Sequence, residues 1–261
     1  MRPILFDEPQ EGIAVLTINR PKVRNALNWE AMEAFAEAVE TAHKKKDLRA
    51  LIVTGKDIAF CAGGDLYELH GYPSRHDGLR LADAMGVTLE RLGDLPCPTI
   101  AAVEGAALGG GGEVAIACDL RVMAESAFLG LMHIRLAICP AWGGGQRLLR
   151  LVGYARAFEW LTGGKILTAT EAYQTGVANR IAPDGEALQD ALELAHEIIK
   201  HDADAVCKIK QFLRAGITCS GEEAARVERE NFADLWAAPA HLDASTRFVA
   251  KKKSNSQPKR A

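Results

Sequence analysis

Four consecutive glycines, Gly109–Gly112, stand directly before the carboxylate of Glu113 and could hold a negatively charged group. A glycine inside a helix costs roughly 1 kcal/mol relative to alanine, so this run fits the start of a helix better than its interior. A helix start leaves backbone N–H groups unpaired, and the helix dipole favours negative charge there. The preceding residues, Pro98–Gly105, have the pattern of a short buried strand. The pattern therefore predicts a strand, a glycine turn and an anion-binding helix start.

A glycine run can also mark only a turn or close backbone packing. Two common phosphate-binding patterns do not fit, because the run contains no GxGxxG sequence and Gly164-Lys165 lacks the earlier glycine of a P-loop. A second stretch of the same kind, Ala59–Leu66, turns at Gly63-Gly64 into another helix start. This repetition favours the anion-binding interpretation.

The composition indicates a globular protein with one large core, or one core and a small appended domain. Of the 261 residues, 48% are hydrophobic and 25% are charged. The formal net charge of −3 argues against nucleic-acid or membrane-surface binding, since both need a basic face. No apolar run approaches the roughly 20 residues that span a bilayer, and the N-terminus is too acidic for a signal peptide. The six scattered cysteines indicate reduced thiols in a cytoplasmic protein and no metal site.

Strand and helix patterns alternate in the first half of the chain, and helix patterns dominate the second half. Strands are predicted over residues 12–19, 50–55, 98–105 and 120–124. Helices are predicted over residues 28–44, with Asn28 as the cap, and over residues 79–92. Residues 128–140 fit an irregular apolar stretch, and capping boxes are predicted at Thr168/Glu171 and Ser220/Glu223. We expect an α/β core over residues 1–195 and a helical region with a mobile basic tail over residues 196–261.

Five segments, in sequence order, resemble the enoyl-CoA hydratase/isomerase family, also called the crotonase family. They span about residues 10 to 250 and comprise Asn19–Leu27, Phe60–Leu66, Ala107–Asp119, Pro140–Leu148 and Leu161–Val177. The resemblance implies an α/β fold, a crotonase-like ββα spiral core with a C-terminal helical trimerisation region, assembled as a homotrimer or a dimer of trimers. It also implies an acyl-CoA substrate, with coenzyme A as part of the substrate and no separate cofactor.

The resemblance further implies an oxyanion hole formed by the backbone N–H groups of Gly64 and Gly110, which would stabilise a thioester enolate. Each such donor is worth about 3 kcal/mol of the reaction barrier. Contacts to coenzyme A are implied at Lys22, Arg24, Ala26, Leu27, Ala62, Asp65, Leu66, Phe248 and Lys251. A solvated surface turn is the alternative for the cationic loop, Arg20–Asn28, which carries Arg20, Lys22 and Arg24. A cap on the following helix is the alternative for Asp65.

One predicted catalytic position departs from the pattern of family hydratases, which use two glutamates to activate water and handle the proton. The resemblance places the first at Glu113, but the second position holds His133. With a reference pKa of about 6.5, histidine can donate or accept a proton at neutral pH. Decarboxylation of a malonyl-type CoA needs only the oxyanion hole and one proton donor, and a neutral histidine would not repel the substrate carboxylate. Together with Pro140–Gly144 and Trp236–Ala240, this departure resembles the ethylmalonyl/methylmalonyl-CoA decarboxylase branch.

Two other functions stay open at this point. An enoyl-CoA hydratase or isomerase would use Glu113 as its acid/base, with His133 positioning water or substrate. A non-catalytic acyl-CoA-binding protein would keep the binding site without turnover, and His133 would then be a buried histidine with a structural partner. Trp142 fits either the wall of an acyl pocket or the packing of a helix start, and Arg135 fits either a substrate carboxylate or a structural partner.

Overall fold

The computed structural model describes residues 2–255, with side chains described for residues 2–250. The chain divides into two compact units, Met1–Ile199 and Lys200–Ala261. The first unit is a mixed α/β structure, and the described part of the second unit is helical. The expected α/β core and C-terminal helices are therefore confirmed, whereas separate roles for residues 1–195 and 196–261 stay predictions.

The first unit contains two sheets. Their strands are β1 (Ile4–Gln10), β2 (Ile13–Ile18), β3 (Ala50–Gly55), β4 (Ala59–Cys61), β5 (Thr99–Val103), β6 (Ala106–Leu108), β7 (Leu120–Ala124), β8 (Phe128–Gly130), β9 (Leu167–Thr168) and β10 (Arg180–Ala182). The larger sheet has the order β1-β2-β3-β5-β7-β10, antiparallel at its β1–β2 edge and parallel elsewhere. The smaller sheet has the order β4-β6-β8-β9, with β4, β6 and β8 parallel and β9 antiparallel.

Several helices begin at capping residues that can be recognised in the sequence. They are α1 (Trp29–Lys44), α2 (Leu66–Leu69), α3 (Arg75–Gly93), α4 (Gly110–Ala117), α5 (Gly144–Val152), α6 (Tyr154–Gly163), α7 (Ala169–Gln174), α8 (Ala187–Ile199), α9 (Ala203–Thr218), α10 (Gly221–Ala237) and α11 (Pro239–Asn255). Asn28 caps α1 by accepting from the Ala31 N–H group, and the Thr168/Glu171 capping box at α7 is complete. At α10 the Ser220 hydroxyl accepts from the Glu223 N–H group, but among the described residues the return bond is not formed.

Several local predictions need correction. Residues 128–140 are not wholly irregular, because they contain β8 and a 3₁₀ turn, His133–Leu136. Helix α3 begins at Arg75 rather than near residue 79, because Ser74 and Asp77 form a capping box that fixes its first turn. The backbone is helical to Asn255. The rest of the predicted basic tail lies outside the described residues, and its mobility stays a prediction.

Alternating residues of the larger sheet pack into two different apolar layers. Ile13 and Ile52 belong to the layer that includes Ala191 of α8, whereas Leu16 and Val53 belong to the main core with α1, α3 and α4. Strands buried on both faces explain the nearly continuous apolar runs in their sequences. The main core positions α4, whose first residues are the glycine run. Across residues 2–255, no helix combines the length and hydropathy needed to cross a membrane.

Candidate active site

The two glycine turns meet at one edge of the smaller sheet. Strands β4 and β6 run parallel, with Cys61 opposite Ala107, so their carboxyl ends lie side by side. The turns that follow are in contact, since a Cβ built on Gly63 would lie 3.0 Å from the Gly110 nitrogen. The carboxyl edge of parallel strands is a frequent place for ligand sites.

Leu27 sets the orientation of the first predicted oxyanion donor, Gly64. The Leu27 N–H group donates to the Gly63 carbonyl at 2.8 Å, and the Leu27 carbonyl accepts from the Asp65 N–H group at 2.8 Å. This parallel bridge directs the N–H group of Gly64 away from Leu27. The Gly64 N–H group is thereby left for a partner on the opposite side.

Helix α4 supplies the second predicted donor. Gly110 is its first residue, so the Gly110 N–H group has no acceptor within the helix, and the helix dipole is positive at this end. At the other end, the buried Arg121 guanidinium donates to the carbonyls of Cys118 at 2.6 Å and Asp119 at 3.2 Å. A cation at a helix C-terminus stabilises the helix, although burial lowers the pKa of Arg121. The predicted helix start at the glycines is confirmed.

Glu113 lies on the first turn of α4 and is 1% exposed. Its Oε1 atom accepts hydrogen bonds from the backbone N–H groups of Trp142 at 2.8 Å and Gly144 at 2.9 Å. Its Oε2 atom lies 3.0 Å from Nε2 of His133. Carboxylate oxygens accept hydrogen bonds, so the two backbone donors at Oε1 and the imidazole nitrogen near Oε2 suit this side chain. The side chain is fixed in place as a carboxylate acceptor.

His133 begins the 3₁₀ turn that follows β8, and 11% of its side chain is exposed. Because Glu113 Oε2 is an acceptor, we assign a hydrogen to Nε2 of the imidazole. The Nδ1 atom is buried and has no hydrogen-bond partner among the described residues. In the neutral ring it is a bare acceptor that could take a second proton. The fold therefore brings Glu113 and His133 into contact, and their role as an acid/base pair stays a prediction.

The cationic loop is attached to β4 and the turn beyond it. The buried Asn25 side chain donates to the carbonyls of Lys56 at 2.9 Å and Ala59 at 2.6 Å, and it accepts from the Arg20 N–H group. The Arg24 carbonyl accepts from the Ala62 N–H group at 3.0 Å. These contacts place the loop beside the Gly64 turn.

The residues predicted to contact coenzyme A differ in how they are placed. Lys22 and Arg24 have exposed side chains on the loop, whereas Ala26 and Leu27 are buried. In the second turn Ala62 is half-buried and Leu66 is exposed. Phe248 lies exposed on α11 of the second unit, and the Lys251 side chain lies outside the described residues. Their contacts with coenzyme A stay predictions.

Asp65 pairs with an arginine that the site prediction did not include. Its Oδ2 atom lies 2.9 Å from Nη1 of Arg20, and the same Nη1 also donates to the Ala26 carbonyl. The predicted cap on α2 by the Asp65 side chain is therefore wrong, because its carboxylate is engaged with Arg20. This ion pair links the cationic loop to the residue after Gly64.

The sequence analysis did not identify two arginines that hold segments of the site in place. The sequence signal for such a role differs between them. Arg121 interrupts the apolar strand β7, and a charged residue in a buried strand signals a buried partner. Arg20 lies in a loop that is interrupted by a proline and that looks solvent-exposed. Nothing in the nearby sequence distinguishes it from the other cationic residues of that loop. Arg135, left open above, donates to the Gly164 carbonyl at 3.0 Å.

Comparisons with known proteins agree with the fold and with the family resemblance of the sequence. The sequence profile of the enoyl-CoA hydratase/isomerase family matches residues 8–258. A Danio rerio protein named ethylmalonyl-CoA decarboxylase is 34% identical over 240 residues, 90% of this chain and 80% of that protein. A short-chain-enoyl-CoA hydratase of Clostridium acetobutylicum is also 34% identical, over 94% of both chains.

A solved structure gives the same result at the level of the fold. The crystal structure of an enoyl-CoA hydratase from Bacillus anthracis superposes with a TM-score of 0.89, at 32% sequence identity, over 95% of this chain and 96% of that chain. Fold and sequence thus define a crotonase-type protein. The chain belongs to the enoyl-CoA hydratase/isomerase family of acyl-CoA enzymes.

Proposed function

We propose that this protein decarboxylates a malonyl-type CoA thioester, with ethylmalonyl-CoA and methylmalonyl-CoA as the best candidates. The observation that carries the proposal is the pairing of Glu113 with His133, Oε2 to Nε2 at 3.0 Å, where hydratases of the family have two glutamates. A site with one carboxylate and one imidazole has lost half of a water-activating pair. It has kept the groups needed to form and protonate a thioester enolate.

The proposed reaction begins with cleavage of the bond between the α-carbon and the carboxylate carbon. The electron pair moves into the thioester to form an enolate, and CO₂ leaves. The N–H groups of Gly64 and Gly110 would stabilise the enolate oxygen, because preorganised donors act most strongly where charge develops. The α-carbon then takes the Nδ1 proton of a doubly protonated His133, giving an acyl-CoA and a neutral imidazole, which regains a proton at Nδ1 from solvent.

The contacts of Glu113 support His133 as the proton donor. Two backbone N–H groups hold its Oε1 atom, and its Oε2 atom lies 3.0 Å from Nε2 of the imidazole, so the carboxylate can hold the ring in place. A second carboxylate in place of His133 would repel the substrate carboxylate through like charge. An imidazole carries no negative charge in either protonation state, so it avoids that repulsion, and its protonated form carries a transferable proton.

The acyl-CoA substrate would reach this site along the cationic loop. Lys22 and Arg24 expose cationic side chains suited to phosphate groups, and hydrogen bonds attach their loop to the Gly64 turn. Coenzyme A would enter as part of the substrate. This arrangement lets the phosphates and the thioester be bound by neighbouring segments.

We also propose assembly as a homotrimer or a dimer of trimers. Ile209, Leu213 and Ile217 lie four residues apart on one face of α9 and are 48–59% exposed. An exposed apolar stripe of this kind is typical of a protein interface. Molar mass measured by light scattering during size-exclusion chromatography tests this proposal, and a monomer at 50 μM would refute it.

Enoyl-CoA hydration or isomerisation is the second candidate function. It is favoured by the intact Glu113 and by the name of the Clostridium relative, which is as similar as the decarboxylase relative. In that case Glu113 would be the acid/base and His133 would position water or substrate. A non-catalytic acyl-CoA-binding protein is the third candidate.

Mass-spectrometric product analysis separates these functions. The purified protein is incubated in parallel with ethylmalonyl-CoA, methylmalonyl-CoA and crotonyl-CoA. Loss of CO₂ from a malonyl-type substrate, with crotonyl-CoA unchanged, is the expected result. Addition of water to crotonyl-CoA alone would refute decarboxylation and favour hydration. Binding without conversion of any of the three would favour the non-catalytic function.

A further inference from the structure

The Trp142 indole packs directly against Gly110. A Cβ built on Gly110 would lie 2.1 Å from Cζ3 and 2.5 Å from Cη2 of the indole, so the ring occupies the space that a side chain would take. Gly110 and Glu113 are three residues apart in α4 and lie on the same face. The Trp142 backbone N–H group donates to Glu113 at 2.8 Å. Trp142 therefore contacts both the predicted oxyanion donor and the acid/base pair.

The indole is held in one position. Its Nε1 atom donates to the Leu81 carbonyl of α3 at 3.1 Å, and the Trp142 carbonyl accepts from Nη1 of Arg147 at 2.8 Å. Only 4% of the residue is exposed. A ring fixed by hydrogen bonds and by packing against α4 acts as a rigid wall rather than as a movable cover.

We infer that Trp142 determines the size of the acyl group that the site accepts. The thioester oxygen would lie at Gly64 and Gly110, and the α-carbon at the pair formed by Glu113 and His133. Because the indole packs against Gly110 and the Trp142 backbone contacts Glu113, we place the remaining acyl carbons beside the indole. A large fixed ring at this position selects short acyl groups and excludes long chains.

The inference rests on the proposed function in one respect, the position of the thioester at Gly64 and Gly110. It does not depend on the loss of CO₂. Binding of saturated acyl-CoAs therefore tests it, because these compounds have no carboxylate to lose and no double bond to hydrate.

The experiment measures dissociation constants of butyryl-CoA and octanoyl-CoA by isothermal titration calorimetry. Four proteins are compared: the wild type, Trp142→Ala, Trp142→Phe and Trp160→Ala. The backbone N–H donation to Glu113 is available in every variant. Trp160 is a matched control, since it is a partly buried tryptophan packed against the core and makes no contact used in this argument.

The expected result is at least a tenfold shift of the ratio of the two dissociation constants toward octanoyl-CoA in Trp142→Ala. The shift should be less than threefold in Trp142→Phe and less than twofold in Trp160→Ala. A ratio within twofold of the wild type, in a Trp142→Ala variant with wild-type circular dichroism, would overturn the inference. If Trp142→Ala does not fold, Trp142→Leu is judged by the same tenfold criterion.

The outcomes also separate this inference from the proposed reaction. A shifted ratio in a protein that releases no CO₂ from ethylmalonyl-CoA refutes the reaction and supports the role of Trp142. Release of CO₂ with an unshifted ratio refutes the role of Trp142 and supports the reaction.

Discussion

Nε2 of His133 lies 3.0 Å from Oε2 of Glu113, while two backbone N–H groups hold the other carboxylate oxygen. The pair couples a fixed carboxylate to an imidazole that can carry a transferable proton. The carboxylate orients the ring and assigns one hydrogen to Nε2. The Nδ1 atom is buried without a partner among the described residues, so this nitrogen can accept a proton. If the proposed decarboxylation is correct, His133 is the group whose loss should matter most.

Replacing His133 should lower the decarboxylation rate far more than it weakens substrate binding. We expect His133→Ala and His133→Gln each to lower kcat for ethylmalonyl-CoA by about 10² to 10⁴-fold, the range for a lost general acid. Glutamine keeps a donor toward Glu113 but cannot deliver a proton as an acid. Steady-state kinetics should show KM changed less than threefold. More than a tenth of the activity remaining in His133→Gln would contradict this prediction.

Glu113→Gln should reduce decarboxylation by at least tenfold, but less than His133→Ala does. The amide oxygen can still accept from Trp142 and Gly144, so the fold should persist, while the charge that stabilises a protonated His133 is lost. The same kinetic assay checks this order. A greater loss in Glu113→Gln than in His133→Ala would make the glutamate the main acid/base, as in hydration.

Gly111→Ala should strongly destabilise the protein. A Cβ at Gly111 would lie 1.9 Å from the Cys61 carbonyl, so α4 would have to move away from β4. We expect the free energy of unfolding in urea to fall by about 3 kcal/mol, at the upper end for overpacking. The control is Gly163→Ala at the end of α6, where a Cβ meets no atom of the described residues within 4 Å. Equal stability of the two variants would refute the predicted clash.

The ion pair between Arg20 and Asp65 should be energetically coupled. Its side chains are 20% and 9% exposed, so solvent screens it less than a surface pair. A double-mutant cycle of Arg20→Gln and Asp65→Asn should give a coupling energy of about 1–3 kcal/mol in urea unfolding. The exposed pair of Arg226 and Glu230 in α10 is the control, for which we expect about 0.5 kcal/mol or less. A coupling as weak as the control would mean that Arg20 does not position Asp65.

The Cys61 thiol should be unreactive although it lies next to the Gly64 turn. Burial raises the pKa of this thiol to about 12, so about one molecule in 10,000 carries the reactive thiolate at pH 8. Cys139 and Cys219 are exposed and should react with iodoacetamide first. Peptide mapping by mass spectrometry measures each labelling rate. Labelling of Cys61 as fast as Cys139 in the folded protein would contradict the buried environment.

Local chemistry in the sequence was enough to predict the glycine helix start, the cap at Asn28 and the position of Glu113. Glycine disfavours a helix interior, and asparagine caps through its own side chain, so these features depend on residues within one turn. Strand β6 was missed because three residues carry too little pattern, although its pairing with β4 brings the two glycine turns together.

Tertiary structure alone decided what the polar side chains pair with. Arg20 and Asp65 are 45 residues apart, and the Trp142 N–H group reaches Glu113 across 29 residues. In the sequence, Asp65 stands at a helix start, so a helix cap was the simplest prediction for its side chain. The packing of the cationic loop against β4 instead places Arg20 beside Asp65. The identities of Glu113 and His133 were determined by the sequence. Their contact depends on how α4 packs against the segment after β8, and no local pattern encodes that packing.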